Sequence, residues 1–346
     1  SRGEVRSFFF FIAHFWCNKF HIDGLRVDAV NSIIRLDFSR KPGEWEPNEY
    51  GGNENIEAIG FLRELNSVLY QDFPDIQTIA EEASDWPGIT LSSDKMGFGF
   101  GMKWMMGWMH DMFRYFKKSP AIRTDVQDDF TFSLMYFYDE KFMLPLSHDE
   151  VVHGKSPMLY KMPGSEWEQF ANLRLLYSWM FTHPGAKLLF MGNEFGQTSE
   201  WDYKSELDWP LLQYAAHNKL QECVRTLNYL LRHEPAFYEL QFDRKGFEWV
   251  SLNYRTEGIM IFKRKGKLRA NDLLVVLNVS NFPQENMEIQ VSGKLHYTEI
   301  FNSDAEQFWG SGKYMNQNIF CEVVDKKKKL NVLKLNIPPL AAIILK

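Results

Sequence analysis

The sequence predicts an α/β fold with a parallel sheet, followed by an antiparallel β-sandwich. In the first part, short apolar runs that end in polar or acidic residues alternate with stretches of helical periodicity. This alternation is typical of buried parallel strands joined by helices, and it fits a (β/α) barrel or a doubly wound sheet. After about residue 235, short β-like segments follow one another with turn residues between them. We therefore expect two domains, 1–234 and 235–346.

Each predicted element rests on its own stretch of pattern. The predicted parallel strands are residues 24–29, 76–82, 142–149 and 187–194. The predicted helices, with apolar residues at near-helical spacing, are 55–70, 167–182 and 218–231. In the second domain the predicted strands are 248–254, 259–263, 273–279, 287–291, 333–335 and 341–345. Because a barrel gathers its strand ends around one pocket, the residues at these ends are the candidate site.

The composition argues against several kinds of partner. A formal net charge of −6 disfavours nucleic acid, which requires clustered positive charge, and the basic run 326–329 is predicted to be a solvated turn. No run of about 18 uninterrupted apolar residues occurs, so no membrane span is predicted. Cys17, Cys223 and Cys321 are scattered and odd in number. They indicate neither a disulfide framework nor a metal site, and they favour a reducing cytoplasm.

The first candidate pair is Arg26 and Asp28, at the end of the first predicted strand. Residues two apart on a strand point to the same side, so both side chains can face one pocket. A guanidinium beside Asp28 would favour an ionised carboxylate, which is what a covalent nucleophile requires. The alternative is an Arg–Asp pair that only closes the end of the sheet.

Glu81 and Glu82 follow the second predicted strand. Adjacent side chains point in opposite directions, so only one of the two carboxylates can face the pocket. Partial burial there would raise the pKa of a Glu and suit it to act as a general acid. The alternative is that one Glu only caps the following helix.

The third predicted strand ends in Ser147, His148, Asp149 and Glu150, with His153 close by. These ligand types suggest a metal, but a metal site needs a further ligand and a defined geometry that nothing else in the sequence supplies. The favoured alternative is hydrogen bonding to the hydroxyls of a polyol. Three acidic residues at three strand ends together fit glycosidic chemistry, in which two carboxyl groups act as nucleophile and acid/base.

These motifs resemble the α-amylase superfamily and, within it, the bacterial glycogen branching enzymes. The resemblance is carried by residues 23–30 (DGLRVDAV), 80–82 (AEE) and 146–155 (LSHDEVVHGK). Further similar stretches are 43–52 (GEWEPNEYGG), 103–111 (KWMMGWMHD), 190–195 (FMGNEF) and 207–209 (LDW). The similarity runs over essentially the whole chain. It implies a (β/α)8 barrel, of which this chain carries about the last five strands, followed by the β-sandwich.

The resemblance also implies roles. Asp28 would be the nucleophile, Glu81 the general acid/base, and Asp149 would hold sugar hydroxyls, with Arg26 and His148 beside it. The implied reaction transfers an α-1,4-glucan segment to a 6-hydroxyl, without cofactor or metal, and Glu150 favours transfer over hydrolysis. An amylase-type hydrolase and a non-catalytic glucan-binding protein are the alternatives. The tryptophans Trp104, Trp108 and Trp201 could line glucan subsites or fill the core.

The sequence departs from the family pattern at its amino-terminal side. Members of the family carry a glucan-binding β-domain and three further barrel strands upstream, and nothing before Asp28 matches these parts. A barrel of five strands cannot close, and its open edges would be exposed. We therefore expect this chain to be a fragment of a longer or split protein that supplies the missing half of the barrel.

The 346-residue chain alone is accordingly predicted to lack branching activity. The measurement is incubation with amylose, followed by iodine staining and by assay of reducing ends. Measurable branching by the isolated chain would contradict the prediction.

Overall fold

The structure, a computed structural model, describes residues 2–292, 294–317, 319–325, 327 and 330–346. The predicted turn at 326–329 lies mostly outside these residues. Two compact units make up the chain. The first comprises Ser1–Gly107 with Tyr136–Leu144, and the second comprises Trp108–Met135 with Pro145–Lys346. The predicted domain boundary at 234 stays a prediction.

A parallel sheet of five strands runs in chain order, as the family resemblance implies, whereas the residue pattern predicts four of them. The strands are Gly24–Val27 (β1), Gln77–Ala80 (β2), Met102–Trp104 (β3), Phe142–Leu146 (β4) and Ala186–Leu189 (β5). Gly24 pairs with Gln77 across β1 and β2, and Ile79 pairs with Met102 across β2 and β3. A Cβ atom on Gly24 would stand 2.5 Å from the Gln77 carbonyl oxygen, so this close approach requires glycine.

Helices connect and follow these strands. They are Gly3–Phe20 (α1), Val30–Ile34 (α2), Ile56–Asp72 (α3), Met106–Phe116 (α4), Gln127–Thr131 (α5), Ser133–Tyr136 (α6), Glu166–Thr182 (α7), Ala215–His233 (α8) and Pro235–Tyr238 (α9). Asn55 caps the amino end of α3, and its side chain accepts a hydrogen bond from the Ala58 N–H. α7 begins with a capping box formed by Ser165 and Glu168. From Phe170 to its end α7 is buried on all sides, which is typical of a core helix.

The carboxy-terminal strands are antiparallel. They are Phe247–Ser251 (β6), Ile259–Arg264 (β7), Leu273–Asn278 (β8), Gln284–Ser292 (β9), His296–Tyr297 (β10), Glu299–Asn302 (β11), Ile319–Phe320 (β12), Glu322–Asp325 (β13), Leu330–Ile337 (β14) and Ala341–Leu345 (β15). One sheet has the order β11–β15–β8–β7–β6 and another β13–β14–β9. Ile261 and Val276 of the first sheet share a buried cluster with Ile289 and Leu335 of the second. This shared core matches the predicted sandwich.

The predicted parallel strands are correct in place but too long at their carboxyl ends, whereas the predictions for β9 and β14 are too short. Asp28, Glu81 and Asp149 lie just beyond β1, β2 and β4 rather than inside them. The predicted ranges include the polar residues that follow each apolar run, and these residues lie outside the observed strands. Among the described residues, no helix is both long and apolar enough to cross a bilayer.

Substitution of Phe262 tests how much the aromatic packing around β7 contributes to the free energy of unfolding. Its ring is fully buried and contacts Trp179, Phe247 and Trp249. We expect Phe262→Ala to lower the free energy of unfolding by about 3–5 kcal/mol, because it removes a buried ring and leaves a cavity. Phe282→Ala is the matched control, since Phe282 is 65% exposed, and should change it by less than about 0.5 kcal/mol. Urea unfolding measures both, and equal losses would contradict the expectation.

Candidate active site

One guanidinium links the two carboxyl groups at the ends of β1 and β2. Arg26 Nη2 lies 2.6 Å from Asp28 Oδ1 and 3.0 Å from Glu81 Oε2. The three residues therefore form one cluster in the first unit. The Asp28 side chain is 75% exposed, whereas the Glu81 side chain is 19% exposed. The more open carboxylate is thus accessible to a ligand, and the other is held partly inside the protein.

The backbone after β1 holds Glu81 in place. Ala29 adopts a left-handed conformation with φ 46°, and its N–H donates to Glu81 Oε2 at 2.8 Å. The Val30 N–H donates to the Glu81 carbonyl oxygen at 2.9 Å. Burial raises the pKa of Glu81, and the neighbouring Asp28 raises it further, while the Ala29 N–H and Arg26 oppose the rise. A carboxyl group with a raised pKa stays protonated up to a higher pH, closer to neutral.

Trp104 supports the same guanidinium from β3. The Arg26 Cζ atom lies 4.2 Å from the centre of the Trp104 ring, and this ring is nearly buried. The cation–π contact fixes the plane of the guanidinium, and with it the contact to Asp28 and Glu81. In the same unit a cleft of about 590 Å³ opens beside the ends of β2 and β3, and its lining includes Trp86, Trp104 and Tyr136.

Glu82 points away from Arg26, as the alternation of a strand predicts. Its buried carboxylate lies 2.5 Å from Lys103 Nζ, and the same ammonium donates to the Ser84 carbonyl oxygen at 3.0 Å. This ion pair ties the turn after β2 to β3, directly behind Glu81. The pairing of Glu82 with Lys103 is not predictable from the sequence alone, because it depends on the register of β2 against β3.

His148 and Asp149 form a pair in the second unit, at the end of β4. His148 Nε2 lies 3.1 Å from Asp149 Oδ1, and both side chains are partly exposed. The imidazole packs against Phe190 at 5.7 Å and Trp201 at 6.4 Å between ring centres. Trp201 thus supports the His148 ring. Two polar groups side by side on an aromatic base are suited to bind hydroxyl groups.

A carboxylate clamps the loop that follows Asp149. Glu200 accepts hydrogen bonds from the N–H groups of Gly154 at 2.9 Å and Ser156 at 2.7 Å, and these donors lower the pKa of Glu200. Within the loop, Glu150 pairs with Lys155 at 3.2 Å. Lys161 donates to the Lys155 carbonyl oxygen, and burial lowers the pKa of Lys161 to about 8. No feature of the sequence pointed to Glu200, which is 46 residues from Gly154.

The structure therefore brings Arg26, Asp28 and Glu81 together in one unit and places His148 beside Asp149 in the other. Trp108 is fully buried, which identifies it as a core residue rather than a subsite residue. The catalytic and substrate-binding roles of these residues stay predictions.

Comparison with known proteins identifies the family. Residues 249–346 match the family described as "Alpha amylase, C-terminal all-beta domain". The whole chain is 48% identical to the 1,4-α-glucan branching enzyme GlgB of Aquifex aeolicus and covers 54% of that protein. At the same identity, 99% of the chain aligns with 46% of the corresponding enzyme of Methylococcus capsulatus. The chain is thus related over its whole length to the branching enzymes of the α-amylase superfamily. It spans about half the length of these curated relatives.

Solved structures share the fold of this chain. The α-amylase of H. orenii superposes with a TM-score of 0.63 at 18% identity, covering 99% of this chain and 64% of that protein. The α-amylase of Geobacillus thermoleovorans, solved with acarbose, gives a TM-score of 0.60 at 12% identity. That match covers 99% of this chain and 63% of the amylase. At these identities the likeness concerns the fold alone.

The contact between Arg26 and Glu81 predicts how a substitution changes titration. Arg26→Met removes a positive charge that lowers the pKa of Glu81, so that pKa should rise further. Carboxyl NMR titration of the chain measures it. Arg35→Met is the control, because Arg35 pairs with Asp85 instead. An unchanged Glu81 titration in Arg26→Met would contradict the assigned contact.

Proposed function

We propose that this chain carries the catalytic carboxyl groups of a 1,4-α-glucan branching enzyme, a retaining transglycosylase of glycogen biosynthesis. The observation that carries the proposal is the contact of Arg26 Nη2 with both Asp28 and Glu81. Because both oxygens contact one nitrogen, the two carboxyl groups are close enough to act on the same glycosidic bond, as the mechanism of a retaining glycosidase requires.

The proposed first step cleaves an α-1,4 bond of the glucan. The Asp28 carboxylate attacks C1 of the sugar, and the bond from C1 to the leaving 4-oxygen breaks as Glu81 gives that oxygen its proton. The raised pKa of Glu81 suits it to hold this proton before the step. The exposure of Asp28 suits it to reach the sugar. The product is a covalent glucosyl-enzyme.

The proposed second step forms the branch. The Glu81 carboxylate takes the proton from the 6-hydroxyl of an acceptor glucan, and that oxygen attacks C1 and displaces the Asp28 carboxylate. Two inversions give net retention, so the new bond is α-1,6. Both forms of Glu81 are needed in turn. The opposing effects of burial and of Arg26 on its pKa are consistent with this double role.

The proposed substrate-binding residues are Asp149, His148 and Arg26. Asp149 and His148 would hydrogen-bond hydroxyls of the distorted sugar. Arg26 would lie beside the same sugar and orient the two reacting carboxyl groups. The loop clamped by Glu200 carries the pair Glu150–Lys155 directly after Asp149. A rigid loop at this point supports a fixed acceptor position, which transfer requires more than hydrolysis does.

The wider setting is also a proposal. The parent protein would supply the remaining barrel strands and a glucan-binding β-domain, in line with the half-length match to the relatives. α-1,4-Glucan or glycogen would be the substrate, without a metal or an organic cofactor. We propose a cytoplasmic location, since Cys17, Cys223 and Cys321 are unbonded thiols.

Substitution of the three acids in the full-length enzyme tests the mechanism. Glu81→Gln should lower branching about 10²–10⁴-fold, because proton transfer to the leaving oxygen is lost. Asp28→Asn should lower it at least as much, since no covalent intermediate forms, and Asp149→Asn should weaken transition-state binding. Loss of iodine colour on amylose measures cleavage and branching together.

Controls separate the alternatives. Asp128→Asn changes a carboxylate that is 86% exposed and should leave activity unchanged. Abundant new reducing ends would indicate an amylase-type hydrolase instead of a transferase. Full activity of Asp28→Asn would contradict the catalytic assignment and favour a glucan-binding role.

A further inference from the structure

A group of positive charges lines a cleft in the carboxy-terminal sheets, although the whole chain is acidic. The cleft has a volume of about 620 Å³ and shares lining residues, among them Lys263 and Arg269, with a smaller cavity of about 20 Å³. The cations around the two are Lys245, Lys263, Lys265, Lys267, Arg269 and Lys294. They face the carboxylates Asp243, Glu248 and Asp272. The local balance is therefore positive in a chain whose net charge is −6.

The nearby carboxylates are engaged elsewhere. Glu248 pairs with Lys265, and Asp243 accepts a hydrogen bond from the Lys245 N–H at 2.8 Å. Asp272 Oδ1 accepts from the Gly266 N–H at 3.3 Å. Within the described part of the chain, neither Lys263, Lys294 nor Arg269 has a carboxylate at ion-pair distance.

The two inner lysines are partly buried, and the hydrogen bonds that they make to the described residues go to neutral groups. Lys263 Nζ donates to Ser292 Oγ at 3.3 Å, and Lys294 Nζ donates to the Asp272 carbonyl oxygen at 3.0 Å. Lys294 also lies over the Tyr297 ring at 5.8 Å. Burial lowers the pKa of both lysines, the nearby Asp272 carboxylate opposes this, and neighbouring cations lower it further. Partly buried ammonium groups that lack a carboxylate in direct contact are costly, so an anion that contacts them would be stabilised.

We infer that Lys263, Lys294, Arg269 and Ser292 form a binding site for a phosphoryl group. Two ammonium groups, a guanidinium and a hydroxyl supply several donors for the oxygens of one tetrahedral oxyanion. The small cavity has room for little more than a water molecule, so the oxyanion would lie in the wide cleft, which Lys263, Arg269 and Ser292 also line. The cleft also leaves room for a sugar esterified to the oxyanion. The shared chemistry is a phosphate dianion, either free or as a phosphomonoester. The inference does not depend on the proposed catalytic function.

Thermal unfolding of the 346-residue chain tests it with inorganic phosphate as the probe. At tenfold excess over its Kd, phosphate should raise Tm by about 2 °C relative to chloride of equal ionic strength. Lys263→Met and Lys294→Met should each weaken binding about tenfold or more, because each loses one charged donor. Lys263→Arg keeps the charge and should retain binding. Lys41→Met, a change at an exposed lysine of the first unit, should behave as the unchanged chain.

Titration followed by ³¹P NMR measures binding directly and does not rely on folding stability. Glucose 6-phosphate and glucose distinguish the sources: tighter binding of the ester identifies a sugar phosphate site, and binding of inorganic phosphate alone identifies an ion site. Glucose itself should not bind. Phosphate that acts no better than chloride, or that binds Lys263→Met and Lys294→Met unchanged, would overturn the inference.

Discussion

The candidate site depends on one guanidinium placed between two carboxyl groups. Arg26 touches Asp28 and Glu81 and rests on the Trp104 ring, so three adjacent strands meet at a single side chain. The charge offsets the repulsion between the carboxylates, which would otherwise push them apart. It also limits the rise in the pKa of Glu81 that burial causes. Arg26 therefore contributes both to the positions of the two carboxyl groups and to the pKa of Glu81.

Two neighbouring acids in the turn after β2, Glu81 and Glu82, have different environments and different roles. Glu81 faces the guanidinium and is partly accessible, while Glu82 is buried against Lys103. A buried charge pair is costly unless both partners are satisfied, and here the ammonium has a second acceptor in the Ser84 carbonyl. The Glu82–Lys103 pair thus holds the backbone of the turn against β3. On the Glu81 side, the N–H of the left-handed Ala29 holds the carboxylate by a hydrogen bond.

Much of this arrangement could be predicted from the sequence, since parallel strands end at one edge and acidic residues mark three of those ends. The fold class and the relationship to branching enzymes were predicted correctly, and the sequence pattern located four of the five parallel strands. β3 was missed as a separate strand because Met102–Trp104 is only three residues long. The Glu82–Lys103 pair and the Glu200 clamp escaped prediction because each joins residues far apart in the chain, and only strand register and loop geometry bring them together. Trp104 and Trp108 look alike in sequence, yet one supports Arg26 and the other fills the core.

The clamp of Glu200 on Gly154 and Ser156 has a consequence for how such loops diverge. Both donors sit on residues with positive φ, so the two-point grip suits one loop length and one backbone path. An insertion between Gly154 and Ser156 would leave one carboxylate oxygen without its donor. Length variation in this segment should therefore be accompanied by replacement of the acid at position 200. A loop grafted from another protein would have to bring its own anchor with it.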